Sequence, residues 1–411
     1  MAFRKNGINR ELRPIEGGVC APDGFQAGGI FCGIKNNGEK DLAFILSEKK
    51  CRTACVYAVA ETVGAPAVIT QKHLRNGLAQ AVLVNSGIAN VFLENGEKLA
   101  DAATRLIEKN FSVAFDDVVI ASTGVIGKRL TLQPFEVGIP QLPKNIGNNA
   151  EYSLAAAQAI ASYGEEAKQL SFSFDLGAYP CKIGVICKGD MHVSPNMATT
   201  LVFITTDVNI TTEMLQRALA TEVRETLNML NLDGVGSPND MACIMASCRA
   251  GNYVIDRVDT EYEKFTKALR AVLSEVCRVI VEGSLRRDEK PFYCKVLGCK
   301  SKQLSRAISK RLIRSDIVKC AVRRQDIDLE GIFFLLSEFD AVKDYADVEI
   351  CLQSGMVRLA LYENEQKMSC LPEIKNNLLS AADATLCVRV GKGNYASLAY
   401  GSAYTDKDTK K

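Results

Sequence analysis

Short, apolar, β-rich segments most restrict how this chain folds, because they outnumber the strands that a doubly wound parallel sheet needs. Two of them lie within 24–47, on either side of an Asn-Asn-Gly sequence at 36–38 that is typical of a hairpin turn. Further strands are expected at 80–85, 117–122 and 241–248. Since many neighbouring strands are linked by turns, the pattern favours a layered α/β sandwich.

Helical segments separate these strands. Apolar residues recur every three to four positions in 97–111 and in 261–283, which predicts two amphipathic helices. A third helix is expected over 150–170, and Thr211 or Thr212 is expected to cap a fourth. The chain of 411 residues is long enough for a large core.

The composition argues against several classes of partner. It is 47% hydrophobic and 24% charged, which is ordinary for a globular protein. A net charge of +2 gives no electrostatic reason to expect nucleic acid or an anionic membrane as a partner. The longest apolar run is too short to span a bilayer, and residues 1–18 lack the apolar core of a signal peptide. We expect a cytoplasmic protein that binds neither nucleic acid nor membrane.

The cysteines do not indicate a metal site. There are fifteen of them, without a Cys-x-x-Cys pair, and only two histidines, so the usual mixed Cys/His zinc patterns cannot form. A chain of this size does not need disulfides, and the odd number excludes complete pairing. We expect reduced cysteines and no metal.

The segment from Lys188 to Asp207 suggests acyl-transfer chemistry. Its loop ends in Met-Ala-Thr-Thr at 197–200, and an apolar β-rich run follows directly. A cut before Thr199 would create an α-amino group, of pKa about 8 in model peptides, that can take the proton of the Thr199 hydroxyl. The small Ala198 leaves room for that hydroxyl to reach the upstream carbonyl. The alternative is a threonine that merely begins a strand.

Two further elements fit the same chemistry. Gly124 follows a buried strand, so its N–H and the Thr123 hydroxyl are candidates for an oxyanion hole, although an ordinary strand-ending turn is the alternative. Lys188 precedes Thr199 on the same loop and is a candidate to bind a substrate carboxylate, with a solvent-exposed lysine as the alternative. With two histidines and no Gly-x-Ser-x-Gly sequence, a Ser-His-Asp triad is not expected.

Two motifs stand in a fixed order along the chain. They are Ser-Thr-Gly-Val-Ile-Gly at 122–127 and Pro-Asn-Met-Ala-Thr at 195–199, with Lys188 upstream of the second. Both resemble the ornithine acetyltransferase family, the glutamate N-acetyltransferases of the cyclic arginine pathway, in the family's oxyanion segment and cleavage site. Residues 84–90 and 233–240 resemble two further family segments.

The resemblance implies an α-β-β-α sandwich of the self-processing, N-terminal-nucleophile type. The chain would cut itself between Ala198 and Thr199 into an α chain, 1–198, and a β chain, 199–411, that assemble as a heterotetramer of two α and two β chains. Thr199 would carry the acetyl group from N-acetylornithine to glutamate, Thr123 and Gly124 would hold the oxyanion, and Lys188 would bind substrate. No cofactor is implied, and acetyl-coenzyme A stays open as a co-substrate.

Several positions differ from the family pattern. Asp190 and Met191 stand where the family has Ser-Gly, and 162–165, 282–288 and the last residues of the chain also differ. In the family, the segments that match 162–165, 282–288 and the C-terminus belong to the substrate site, and Asp190 and Met191 lie near the nucleophile. Two alternatives therefore stay open: a self-cleaving acyltransferase or amidohydrolase that acts on a different amino-acid derivative, and a non-catalytic family member.

Overall fold

The computed structural model describes residues 12–58, 62–189, 200–232, 236–340, 342 and 345–405. The β-strands are β1 Arg13–Pro14, β2 Phe25–Ile30, β3 Leu42–Tyr57, β4 Leu78–Asn85, β5 Val118–Ser122, β6 Lys168–Leu176, β7 Tyr179–Gly189, β8 Thr200–Thr206, β9 Leu230–Asn231, β10 Met241–Ala246, β11 Glu289–Cys299, β12 Val348–Ser354, β13 Val357–Glu363, β14 Gln366–Lys367, β15 Thr385–Val390 and β16 Tyr395–Tyr404.

The α-helices are α1 Ala65–His73, α2 Gly96–Phe111, α3 Gln133–Gly138, α4 Ala150–Ile160, α5 Thr212–Glu225, α6 Thr260–Gly283, α7 Lys302–Arg314, α8 Asp316–Lys319, α9 Ala321–Arg324, α10 Leu329–Ser337 and α11 Pro372–Ser380. Short 3-10 helices cover Gly18–Cys20, Leu74–Asn76, Phe115–Asp117, Ile139–Lys144, Leu227–Met229 and Tyr345–Asp347. In the described ranges no helix is long and apolar enough to cross a membrane.

The first sheet joins strands from distant parts of the sequence. Its order is β1-β6-β7-β8-β10-β3-β4-β5, with β2 paired to β3. β7 and β8 are antiparallel neighbours, and β10 runs parallel to β8 and antiparallel to β3. Both β8 and β10 therefore lie between β7 and β3.

Alternate residues of β7, β8 and β10 face two different apolar cores. Ile186, Phe203 and Cys243 belong to one buried cluster. Their immediate neighbours along each strand point the other way, as successive side chains in a strand must, and pack with α5 and α6 in a second cluster. On one side this half of the sheet is therefore covered by α5 and α6, and on the other side α4 contributes residues such as Ala156 and Ile160 to the first cluster.

The other half of the sheet shows the same alternation. Ala43, Val82 and Val119 of β3, β4 and β5 face the first cluster, so they oppose β7, β8 and β10 across it. The next residue on each strand faces a third cluster that contains α2. The order of layers is thus helix, strand, strand, helix, which confirms the predicted α-β-β-α sandwich and its α/β class.

A second sheet, built from the strands after α6 together with β9, has the order β14-β13-β12-β15-β11-β16-β9. Its inner face joins the cluster that α5 and α6 share, through residues such as Val296, Leu352 and Val388. Because β9 lies between α5 and β10 in the chain and pairs with β16, the two sheets are tied together by their connections as well as by packing.

Most expected elements are present, with one correction. The 97–111 and 261–283 helices are confirmed as α2 and α6, and the Thr211 hydroxyl accepts a hydrogen bond from Met214 N–H to cap α5. The helix expected over 150–170 is wrong in its second half. It ends at Ile160, because the chain turns at Gly164 with a φ of 68° and continues as strand β6.

The β2–β3 connection is organised by one carboxylate. The antiparallel pairing expected around the 36–38 turn is confirmed, and Asp41, fully buried, lies just before β3. Its carboxylate accepts four backbone hydrogen bonds, from the amides of Cys32, Gly33, Ile34 and Lys35, at 2.7 to 3.2 Å. Hydrogen bonds to a charged acceptor are stronger than neutral ones, so this carboxylate fixes the loop.

We expect Asp41→Asn to lower the free energy of unfolding by about 2–4 kcal/mol, since the amide keeps only one acceptor oxygen and leaves buried N–H donors unpaired. Urea unfolding measures this loss. Asp340→Asn, at an exposed position, is the matched control and should leave the unfolding midpoint unchanged. Equal midpoints for the Asp41 variant and the wild type would contradict the proposed role.

Candidate active site

The candidate site forms where strands of the two β layers end. β7 ends at Lys188 and Gly189, and Gly189 pairs with Thr200, the first residue of β8. β5, in the opposite layer, ends at Ser122 and leads directly into Thr123 and Gly124. Residues 65 positions apart in the sequence thus meet at one edge of the sandwich.

Lys188 and Thr123 are in direct contact. Lys188 Nζ donates a hydrogen bond of 2.8 Å to Thr123 Oγ1. Lys188 is 3% exposed and Thr123 is 7% exposed. The alternative of a solvent-exposed lysine is therefore excluded. A buried ammonium group needs hydrogen-bond acceptors around it, and Thr123 Oγ1 is one of them.

Gly124 must be a glycine for two geometric reasons. Its φ is 128°, a conformation that residues with a side chain rarely adopt. A Cβ at this position would also lie 2.2 Å from the carbonyl carbon of Gly87. The absence of a side chain allows the 122–125 backbone to approach 85–89 closely.

Two of the three backbone N–H groups in the 123–125 turn donate hydrogen bonds. Thr123 N–H donates to Asn85 O at 2.9 Å, and Val125 N–H donates to Gly87 O at 3.1 Å. Within the described part of the chain, Gly124 N–H donates no hydrogen bond. An exposed turn with one uncommitted N–H beside the buried hydroxyl of Thr123 matches the donors that an oxyanion hole requires.

The segment 84–90 supports this turn. Ser122 Oγ donates to Asn85 Oδ1 at 2.5 Å, and Asn85 Nδ2 donates to Ile88 O at 2.9 Å. Ala89 N–H donates to Val125 O, and Asn239 Nδ2 donates to Ala89 O at 2.6 Å. These hydrogen bonds hold the backbone of the turn in place.

Asp240 is a site residue to which sequence reasoning gave no role. It lies just before β10, is 1% exposed, and accepts a hydrogen bond of 2.5 Å from Thr200 N–H and one of 3.3 Å from Ser237 N–H. Burial raises its pKa well above the ordinary value, against these two hydrogen bonds and the nearby Lys188 charge, which lower it. The sequence feature that could have pointed to Asp240 is an acidic residue directly before an apolar, β-rich segment.

Part of the predicted site lies outside the described residues. Ala198 and Thr199 belong to this part, together with Asp190 and Met191. The structure fixes the neighbours on both sides, Gly189 and Thr200, as an antiparallel pair. The nucleophilic role of Thr199 stays a prediction.

Other possible sites are separate from this cluster. Among the described residues no group of three or more His, Cys, Asp or Glu side chains could hold a metal ion. A cavity of about 930 Å³ lies between β6, α6 and the second sheet, and neither Thr123 nor Lys188 lines it. Lys168 lines this cavity and pairs with Cys187, whose side chain points to the opposite face from that of Lys188.

The raised pKa of Asp240 predicts a pH-dependent stability. Between its unfolded pKa, about 4, and its higher folded pKa, the folded state binds more protons than the unfolded state. Stability should therefore fall as pH rises through this window, by about 1.4 kcal/mol for each unit of pKa shift. Asp240→Asn should flatten this dependence in urea unfolding between pH 4 and 8, whereas Asp116→Asn, at an exposed position, should not. Equal slopes for all three proteins would refute this account.

Comparison with known proteins identifies the family. The ArgJ family profile matches residues 26–408. The arginine biosynthesis bifunctional protein ArgJ 1 of Clostridium acetobutylicum is 31% identical over 389 residues, which cover 93% of each chain. The Bacillus subtilis arginine biosynthesis bifunctional protein ArgJ is 29% identical, over 96% of this chain and 95% of its own.

Solved structures of similar proteins include the ornithine acetyltransferase of Mycobacterium tuberculosis in complex with ornithine. That structure is 26% identical, covers 45% of this chain and 98% of its own, and has a TM-score of 0.41. The family profile spans both motifs that suggested the resemblance, at 122–127 and at 195–199. The chain belongs to the ArgJ family.

Proposed function

We propose that this protein is a glutamate N-acetyltransferase that moves an acetyl group from N-acetylornithine to glutamate in the cytoplasm. The observation that carries the proposal is the buried contact between Lys188 and Thr123, beside Gly124 and the first residue of β8. Family membership and the names of the curated relatives support it. The proposal includes a cut between Ala198 and Thr199, which makes Thr199 an N-terminal residue.

The proposed reaction has two steps, the acetylation of Thr199 and the transfer of the acetyl group to glutamate. Thr199 Oγ attacks the acetyl carbon of N-acetylornithine while the Thr199 α-amine takes the hydroxyl proton. The C–N bond then breaks, and ornithine leaves with that proton on its amine. In the second step the amine of glutamate attacks the acetyl-threonine ester, and Thr199 Oγ is released and reprotonated. No cofactor is required, and acetyl-coenzyme A is a candidate for a second acetyl donor.

The oxyanion of each tetrahedral intermediate would lie between the Thr123 hydroxyl and Gly124 N–H. An ammonium group only donates hydrogen bonds, so Thr123 Oγ1 is the acceptor in its contact with Lys188. The hydroxyl hydrogen of Thr123 is thereby directed away from Lys188 and can be donated to the oxyanion. The positive charge of Lys188 also favours the negative charge that develops nearby.

Self-cleavage is the first test of the proposal. Intact-mass measurement of the purified protein under denaturing conditions should show two fragments, 1–198 and 199–411, and Thr199→Ala should yield a single chain of full length. Thr200→Ala is the neighbouring control and should still be cut. A wild-type protein that stays a single chain would contradict the proposal and favour a non-catalytic family member.

Acetyl exchange then separates the two enzymatic alternatives. The cleaved protein should transfer acetyl from N-acetylornithine to glutamate and accumulate a Thr199 fragment 42 Da heavier (about the mass of an acetyl group) when glutamate is omitted. A cleaved protein that performs neither step acts on a different amino-acid derivative. The changes at 162–165 and 282–288 are the first positions to examine in that case.

The oxyanion role of Thr123 predicts a loss of turnover. Thr123→Val removes the hydroxyl at nearly constant shape, so kcat for acetyl transfer should fall by about 10²–10³-fold. The same change leaves the Lys188 ammonium without this acceptor and should also destabilise the fold by about 1–3 kcal/mol.

Thr123→Ser keeps the hydroxyl and is the matched control, with kcat expected within about tenfold of the wild type. Urea unfolding of both variants separates the loss of stability from the loss of turnover. An unchanged kcat in the folded Thr123→Val variant would show that the hydroxyl does not hold the oxyanion.

A further inference from the structure

We propose that Cys351 and Cys387 form a peroxide-sensitive thiol pair, which closes to a disulfide on the outer face of the second sheet. The two residues lie directly opposite each other on the antiparallel neighbours β12 and β15. Opposed residues in such a ladder have Cα atoms about 4.5–5.5 Å apart, which lies within the range that a disulfide spans. The backbone therefore does not have to move for the bond to form.

The pair faces away from the core. Ile350 and Leu352, the neighbours of Cys351, are fully buried in the cluster shared with α6, as are Leu386 and Val388 on either side of Cys387. Neither cysteine belongs to an apolar cluster. Both are buried, with 5% and 3% of their surface exposed, so an oxidant has to displace the half-exposed Arg358 side chain, which contacts Cys351, rather than open the apolar core.

The surroundings of the pair favour a thiolate. Arg358 Nε donates a hydrogen bond of 3.2 Å to Cys351 Sγ, and its side chain is 50% exposed. On the other side, Lys295 of β11 lies directly opposite Cys387. The carboxylates of Glu349 and Glu363 also face the pair, but both form ion pairs with Arg358. Positive charge is thus supplied directly to Cys351 Sγ by Arg358, and Lys295 stands beside Cys387 on the neighbouring strand.

The pKa values of the two thiols are shifted in opposite directions. A hydrogen bond from Cys387 lowers the pKa of Cys351, and the Arg358 guanidinium lowers it further, although burial raises it. The same hydrogen bond raises the pKa of Cys387, together with burial. Cys351 is therefore the reactive thiolate and Cys387 the resolving thiol.

A second opposed pair supplies an internal comparison. Cys55 and Cys243 also lie directly opposite each other, on β3 and β10. Both belong to the apolar cluster between the two β layers. The hydrogen bond with Cys55 and burial raise the pKa of Cys243 well above its usual value. The two cysteine pairs have the same strand geometry but different surroundings. We therefore expect Cys55 and Cys243, inside the apolar cluster, to be unreactive.

The oxidant is a hydroperoxide, and the step balances. The Cys351 thiolate attacks one peroxide oxygen, the O–O bond breaks, and Cys351 becomes a sulfenic acid while the other oxygen leaves as hydroxide. The sulfur of Cys387 then attacks the sulfenic sulfur, the S–S bond forms, and the sulfenic oxygen leaves as water with the thiol proton. Two electrons pass from the two sulfurs to the peroxide.

Peptide mapping of the full-length reduced protein tests this proposal. Hydrogen peroxide is added in equimolar amount, free thiols are alkylated under denaturing conditions, and unreduced tryptic peptides are weighed. The linked Cys351–Cys387 peptides should appear first, lighter by the mass of two hydrogens than the sum of the thiol peptides, while Cys55 and Cys243 stay alkylated. Linkage of Cys55 to Cys243 at the same rate, or no Cys351–Cys387 linkage, would overturn the proposal.

Three variants assign the roles, with folding checked by circular dichroism. Cys387→Ser should stop oxidation at a Cys351 sulfenic acid that a dimedone probe labels. Arg358→Gln should slow linkage by about tenfold for each pKa unit that Cys351 regains, at a pH below that pKa. Arg358→Lys keeps the positive charge and should react faster than Arg358→Gln. Equal rates in these two variants would show that the charge of Arg358 has no part in the reaction.

Discussion

The buried hydrogen bond between Lys188 and Thr123 is the constraint on which the site depends. Lys188 belongs to the β7 layer of the sandwich and Thr123 follows β5 in the other layer, so the contact crosses between layers. The core between the layers is apolar and cannot solvate an ammonium group. The contact is therefore confined to the edge where the strands end, which is also where a turn such as 123–125 can expose an amide.

Asp240 is a second buried titratable residue near Lys188. Asp240 lies at the start of β10, next to β8, and its carboxylate feels the Lys188 charge. It holds the first amide of β8 through the hydrogen bond from Thr200 N–H. By anchoring the residue after Thr199, Asp240 holds the start of β8 in place, whatever chemistry follows.

The sequence predicted the layers better than it predicted the contacts. The periodicity of 97–111 and 261–283 and the turn at 36–38 depend on local preferences, which is why α2, α6 and the β2–β3 pairing are confirmed. The end of α4 at Ile160 depends on Gly164 and on the pairing of β6 with β7, a long-range interaction that no helical periodicity reports. The family resemblance placed Lys188 and Thr123 in one site, but their direct contact depends on two layers meeting at one edge, which no local sequence pattern reports.

Sheet order gives the predicted cut between Ala198 and Thr199 a physical consequence. The cut would fall between the neighbouring strands β7 and β8, and β8 and β10 would then belong to the second fragment while lying between β7 and β3 of the first. Separation of the fragments would break a backbone ladder on each side and expose Phe203 and Met241, which are buried between the layers. The fragments would therefore stay joined without a peptide bond, and the cleaved chain would keep the site that it needs.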